Sequence, residues 1–149
     1  MSHVPAEPSS DRAGRDRQAD VHVPFVTAAL AFGVLGGFSL AFSLSMEALL
    51  VGLSASWASH AQVHGHLQVL GFAGLFVVGV ACKLIPRFGN GEAPAPATVT
   101  AILWCLGLGV LARAVGQPLV PYTPVAAAVT IAGAGLELVG ALLFARVAI

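Results

Sequence analysis

The residues best suited to chemistry are three histidines, His60, His64 and His66, which fall within seven positions of the chain. Imidazole is the commonest side-chain ligand of transition metals and also ligates heme iron. The histidines stand at the head of an apolar run that ends at Pro86. Because ionisable side chains are costly to place in lipid, such a cluster in a membrane protein indicates a functional site.

The spacing of these histidines restricts what they can hold together. An α-helix turns about 100° per residue, so His60 and His64 share a face and His66 points about 160° away from His64. One regular helix cannot direct all three at one ion. A copper or zinc site would therefore need a further ligand, for which Glu47 is the nearest candidate. The candidate metal ligands are thus His60, His64, His66 and Glu47.

A heme makes a different demand on the same segment. Iron needs an axial imidazole, the macrocycle needs a flat apolar slot, and the propionates need polar or cationic partners. The segment offers the imidazoles, glycines that leave room for a macrocycle, and the aromatic Phe72 and Phe76. Arg113 is predicted on the same side and could meet a propionate. The alternative to either site is that the histidines only face lipid headgroups and water.

The composition places the chain in a membrane. Apolar residues make up 57% of the 149 residues and charged residues 9%, whereas soluble domains carry about 25% charged residues. The formal net charge is zero, so no basic field indicates nucleic-acid binding. Cys82 and Cys105 stand alone in apolar runs, and we expect no disulfide between them.

Four stretches are long and apolar enough to span a bilayer, which takes about 20 residues. We predict helices over residues 24–46, 62–85, 99–115 and 123–148. The predicted fold is therefore all-α, a polytopic membrane protein with four transmembrane helices in a bundle. Residues 1–22 are expected to form a disordered tail. Residues 23–149 form the transmembrane domain, either a short protein in itself or the front part of a larger fold.

Prolines and small residues predict where these helices stop and meet. Pro86 is expected to end the second helix, and Pro118, Pro121 and Pro124 are expected to break the chain before the fourth. Thr98 is the expected N-cap of the third helix. A turn is predicted at residues 89–91. The Gly33-x-x-x-Gly37 spacing predicts close helix packing.

The distribution of positive charge predicts the orientation of the helices. If the N-terminus is cytoplasmic, six of the seven basic residues face the cytoplasm and only Arg113 faces outward. The six are Arg12, Arg15, Arg17, Lys83, Arg87 and Arg146. The positive-inside rule then predicts both termini inside a bacterial inner membrane, with the histidine cluster at the outer end of the second helix.

One carboxylate, Glu137, falls inside the fourth helix. A buried charge is expensive and usually paired. We expect Glu137, on the cytoplasmic side, to pair with Lys83 or to stay protonated, and so to tie two helices together. The alternative is that Glu137 relays protons to reduction chemistry.

Two segments of the second helix carry a family resemblance. Residues 64–72 (His-Gly-His-Leu-Gln-Val-Leu-Gly-Phe) and 84–88 (Leu-Ile-Pro-Arg-Phe) resemble the second helix of NnrS-like membrane proteins. They also resemble the heme-bearing second helix of heme-copper oxidase subunit I and related nitric oxide reductases. Residues 111–119 and 135–145 are similar to the third and fourth helices of NnrS-like proteins.

The resemblance implies a membrane protein that binds heme b, with copper as a further metal, and that is linked to nitric oxide or respiratory redox metabolism. Carried over to this chain, it implies that His64 or His66 is the axial ligand, with His60 as the third candidate. Nitric oxide would be the small ligand. Reduction of nitric oxide generally needs a second metal centre, whose histidines these four helices lack, so we do not expect a complete enzyme from this chain alone.

Three kinds of function therefore remain open from the sequence. The first is a heme-binding membrane protein, in which a homodimer or a larger membrane complex would supply a second axial histidine to a shared heme. The second is an accessory protein that handles copper or zinc. The third is a membrane subunit without a cofactor.

Overall fold

The computed structural model describes residues 20–88 and 93–149, and within these ranges the regular structure is helical and contains no strand. The four long helices are α1 (Val23–Leu50), α2 (Trp57–Phe88), α3 (Pro96–Leu119) and α4 (Pro124–Ala148). Each is long enough to cross a bilayer, and the most apolar window of each has a mean hydropathy between 1.8 and 2.1. The chain is thus an all-helical protein with four candidate membrane spans.

The four predicted spans are present, but most of their ends lie elsewhere. The helix α2 passes through Pro86 and ends two residues later at Phe88, so the prediction that Pro86 ends it is wrong. The helix α3 passes through Pro118 and ends at Leu119, and residues 120–123 break the chain before α4, as predicted. A proline removes one backbone hydrogen bond, and membrane helices tolerate that loss by local adjustment. The predicted tail over residues 1–19 and the turn at 89–91 lie outside the described residues, while residues 20–22 form a turn before α1.

The start of α3 also differs from the prediction. The helix begins at Pro96 with Ala95 as its N-cap, so Thr98 lies inside the first turn and is not the cap. Proline is favoured at the first helical position because its missing N–H would have no partner there. At the start of α4 a threonine does act as the N-cap, since Thr123 accepts a hydrogen bond from the backbone N–H of Val125 at 3.3 Å.

Two of the helices contain wide turns at the same level. Residues Ala31–Phe38 of α1 and Leu67–Gly74 of α2 form π-helix, and the two π segments pack against each other. A π turn inserts extra backbone and rotates the side chains that follow it, and such turns occur often at functional sites. His64 and His66 lie in regular α-helix just before the π segment of α2.

In the contact between α1 and α2, the α1–α2 seam, glycines receive aromatic side chains. A Cβ placed on any of three glycines would collide with a phenylalanine of the other helix. The pairs are Gly33 with Phe72, Gly71 with Phe32, and Gly79 with Phe25. These contacts make the two helices antiparallel and fill the spaces that the glycines leave.

In the contact between α3 and α4, the α3–α4 seam, backbone lies directly on backbone. A Cβ on Gly109 would lie 2.8 Å from the carbonyl oxygen of Gly133, and a Cβ on Gly133 would lie 2.9 Å from that of Gly109. The small residues Ala126, Gly133 and Gly140 of α4 are buried and stand seven positions apart along α4. This spacing keeps one small-residue stripe on one helix face.

The antiparallel order of neighbouring helices gives the molecule two ends. We call the end where α1 and α3 finish the histidine end, and the opposite end, which holds Lys83, Arg87 and Arg146, the basic end. Between them the buried apolar residues form two clusters, one around Phe25, Leu75 and Ile102, the other joining Val63, Leu67 and Val110. Large apolar side chains elsewhere on the helices point outward, as helices in lipid require.

Candidate functional site

Three helices meet at one buried carboxylate. Glu137 of α4 is 8% exposed, and in the described part of the chain no other charged side chain is buried. Its Oε1 atom lies 2.6 Å from Nε2 of His66 on α2, and its Oε2 atom accepts a hydrogen bond from Nη1 of Arg113 on α3 at 3.3 Å. A carboxylate inside apolar helices needs such donors, because an uncompensated buried charge is strongly destabilising.

The α3–α4 seam explains how the carboxylate reaches this place. Glu137 shares its face of α4 with Gly133 and Gly140, four residues before and three residues after it. A Cβ on Gly109 of α3 would lie only 2.6 Å from Cγ of Glu137. The missing side chain of Gly109 therefore makes room for the glutamate to pass α3 and meet both of its partners.

The pairing expected for Glu137 from the sequence is wrong. Lys83 lies at the basic end, where its Nζ atom is 3.4 Å from Nε2 of His22. Lys83 is about 25 Å farther along α2 than His66, by helix rise. Glu137 also lies level with His66 and Arg113, the two residues predicted toward the outer side, and not with the residues predicted on the cytoplasmic side.

His64 faces a different neighbour from His66. Its Nδ1 atom lies 2.9 Å from the carbonyl oxygen of Gly37 on α1, and we assign the ring proton to Nδ1 because a carbonyl only accepts. The Nε2 atom makes no hydrogen bond to any described residue. The prediction that His64 and His66 point in different directions is confirmed, since one ring turns to α1 and the other to α4.

The remaining candidate ligands are held locally. His60 lies in the first turns of α2 and places Nδ1 2.9 Å from the carbonyl oxygen of Ser56. Glu47 accepts a hydrogen bond from the backbone N–H of Ser54 at 3.3 Å, across the loop between α1 and α2. Over residues 20–88 and 93–149, no three His, Cys, Asp or Glu side chains are grouped as metal ligands.

Glutamines near the histidines form contacts that the sequence reasoning missed. Gln117 of α3 donates to Oε1 of Gln62 at 2.6 Å, and its backbone carbonyl accepts from Oγ of Ser59 at 3.3 Å. Gln68 donates to the carbonyl of Gly33 at 3.4 Å. Amide side chains in an apolar span are a sequence signal of their own, because lipid offers them no partner.

The space around the histidines decides what a flat ligand could reach. Phenylalanines occupy the clefts at Gly33, Gly71 and Gly79, so the expected slot for a macrocycle inside the α1–α2 seam is filled. By contrast, a Cβ on Gly65 would meet no atom within 4 Å. The surface of α2 at Gly65 is therefore open, about 100° around the helix from the ring of His64.

Comparison with known proteins identifies no relative: no family model, no curated protein and no solved structure matches this chain.

Proposed function

We propose that this chain is an integral membrane protein that holds a b-type heme on the outer surface of α2, with His64 as the axial ligand. The observation that carries the proposal is the bond from Nδ1 of His64 to the Gly37 carbonyl. Histidines that ligate a metal almost always give their other ring N–H to a carboxylate or a backbone carbonyl. That bond fixes the tautomer and leaves Nε2 with its lone pair for iron.

The other two histidines are less suited to this role. His66 uses Nε2 for Glu137, so iron could take that nitrogen only by leaving the buried carboxylate with Arg113 alone. His60 is tied to its own helix through Ser56 and has no contact from α1 to orient the ring. Of the three histidines, His64 is therefore the one whose Nε2 atom is best placed to hold iron.

When bound, the heme would supply one-electron chemistry and an iron site for a small ligand such as nitric oxide. The residues of this chain would hold and orient it, since the Gly37 carbonyl directs the His64 ring. Arg113 uses Nη1 for Glu137 and so lies with His66 on the side of α2 that faces α4, away from the ring of His64. In residues 20–88 and 93–149 no group of three His, Cys, Asp or Glu side chains could hold a second metal. We therefore propose that the chain binds a small ligand or transfers an electron and does not by itself reduce nitric oxide.

The proposal includes the arrangement in the membrane. The helices cross a bacterial inner membrane as a bundle with both termini in the cytoplasm, since Lys83, Arg87 and Arg146 all lie at the basic end. The histidine end then faces outward. A second copy of the chain, or another subunit of a larger complex, would supply the sixth ligand of a shared heme.

The test is the absorbance spectrum of protein expressed with ample heme. We expect a Soret band and a pyridine-hemochrome signal that His64→Ala abolishes. The matched variants His60→Ala and His66→Ala should keep the band. A spectrum that survives all three replacements, or a protein that takes up no porphyrin, contradicts the proposal.

The filled clefts of the α1–α2 seam favour a second candidate, a membrane subunit without a cofactor whose histidines only join helices. Colourless protein free of metal would support this candidate. Colourless protein with stoichiometric copper would instead support a copper-handling accessory protein.

A further inference from the structure

The basic end contains a groove that the proposed heme site does not use. It has a volume of about 700 Å³ and lies where α2 ends, α3 begins and α4 ends. Its walls are mainly apolar, and its polar side chains are a hydroxyl and a guanidinium. The residues that matter for binding are Ile85, Leu143 and Val147 on the apolar side, and Thr98 and Arg146 on the polar side.

The charge around the groove is positive. Arg146 lines it from the last turn of α4, and Lys83 lies near the end of α2 at the same end of the molecule. Of the three acidic residues in the described ranges, Glu47 and Glu137 belong to other parts of the molecule, and Asp20 stands before α1 at the basic end but does not line the groove. The side chains around the groove therefore attract an anion, while the helix ends add no positive field, because the positive end of α3 lies beside the negative ends of α2 and α4.

The groove also lies at a particular depth. It lies at the ends of three helices that are apolar enough to span a bilayer, at the level where such spans meet lipid headgroups. A free anion such as phosphate would use the guanidinium and the hydroxyl but would leave the apolar walls in water. A phospholipid uses both, because its phosphate can contact the polar side while an acyl chain covers the apolar side.

We propose that this groove is a binding site for an anionic phospholipid. Its headgroup phosphate meets Arg146 and Thr98, and one acyl chain lies against Ile85, Leu143 and Val147. Basic pockets between membrane helices recognise anionic headgroups through this combination of charge and depth. The assignment is independent of heme, so it stands or falls separately from the proposed function.

The experiment measures binding of phosphatidylglycerol and of phosphatidylcholine to the purified chain in neutral detergent, by native mass spectrometry. We expect preferential retention of phosphatidylglycerol. Arg146→Gln should weaken it about fivefold, the change for one cation–phosphate contact worth about 1 kcal/mol. The matched control is Arg87→Gln, which removes the same charge from the same end but outside the groove, and it should change the affinity by less than about twofold.

Each other result counts against the site. Equal weakening by both arginine variants means a general surface charge effect, and equal retention of both lipids means no headgroup recognition. If inorganic phosphate displaces phosphatidylglycerol at comparable concentration, the site is for a free anion and the lipid assignment is wrong. Thermal unfolding in lipid-free detergent must be the same for the wild type and Arg146→Gln, since Arg146 is exposed.

Discussion

In the α3–α4 seam glycines bring two backbones together, whereas in the α1–α2 seam glycines receive side chains. A Cβ on Gly109 or Gly133 would collide with the carbonyl oxygen of the other glycine, but Gly33 and Gly79 are covered by phenylalanines. In the first arrangement backbone atoms face each other at Gly109 and Gly133, beside the Cγ atom of Glu137. The second has side chains as filling, and those side chains can include polar groups that reach backbone carbonyls, as His64 and Gln68 do.

The two seams therefore differ in role: the α3–α4 seam is the rigid one, and the α1–α2 seam carries the residues suited to bind a ligand. The α3–α4 seam fixes the position of Glu137, and the α1–α2 seam presents the histidines, so the polar site forms where the two pairs of helices meet. The contacts of Glu137 with His66 and Arg113 connect the α1–α2 pair of helices to the α3–α4 pair. We therefore expect substitutions in the α3–α4 seam to affect stability and substitutions in the α1–α2 seam to affect ligand binding.

The largest effect should come from Gly133→Leu. The new Cβ would lie 2.9 Å from the backbone oxygen of Gly109, and neither backbone can move without separating the helices. We expect a loss of about 3 kcal/mol in the free energy of unfolding, at the upper end for overpacking. Reversible unfolding in mixed micelles measures it.

The matched control for this change is Gly135→Leu, two residues farther along α4. A Cβ on Gly135 meets nothing within 4 Å, so the leucine should only add apolar surface facing lipid. Its free energy of unfolding should not fall and should rise by up to about 1 kcal/mol, because leucine favours helix over glycine. If both variants are equally stable, the backbone contact of the α3–α4 seam does not hold the helices together.

The four spans follow from the sequence because hydropathy is a local property, and the divergence of His64 from His66 follows from helix geometry alone. The partner of Glu137, by contrast, does not follow from the sequence. Which residues meet depends on how far each helix slides along its neighbour, and that offset is set by the contacts of particular glycines. The sequence marks Gly109 as small but does not say that Glu137 will pass through its gap.

The helix ends and the expected slot for a heme also could not be predicted from the residues of one helix alone. Pro86 and Pro118 have the chemistry of stop signals, yet each costs only one hydrogen bond near the end of a long apolar helix. The glycines of α2 suggested room for a macrocycle, but a glycine leaves a cleft only if no neighbour fills it. Phe25 and Phe32 come from α1, and no pattern within α2 predicts them.

The next largest effect should come from Glu137→Gln, which cuts the connection between the two pairs of helices. The amide keeps the shape but leaves Arg113 without a countercharge and weakens the contact with His66. We expect a loss of about 1 to 2 kcal/mol in the free energy of unfolding, below the usual cost of breaking a buried ion pair because Arg113 is partly exposed.

Glu47→Gln is the control for this change, because Glu47 accepts only a loop N–H at the exposed histidine end. It should change the free energy of unfolding by less than about 0.5 kcal/mol. Equal effects of the two glutamine substitutions would mean that the contacts of Glu137 add nothing beyond the loss of a charge.

The smallest effect should come from Gly37→Ala in the α1–α2 seam, and it tests the comparison most directly. The added methyl group would collide with the amide end of the Gln68 side chain, which can turn away by rotating its outer bonds. Alanine also favours helix over glycine by up to about 1 kcal/mol, which offsets the lost contact. The free energy of unfolding should therefore change by less than about 0.5 kcal/mol.

Gly79→Ala on the same seam should cost more, since its methyl group meets Cβ of Phe25, which moves only with the backbone of α1. If Gly37→Ala is as damaging as Gly133→Leu, the α1–α2 seam is as rigid as the α3–α4 seam and the distinction between them is wrong.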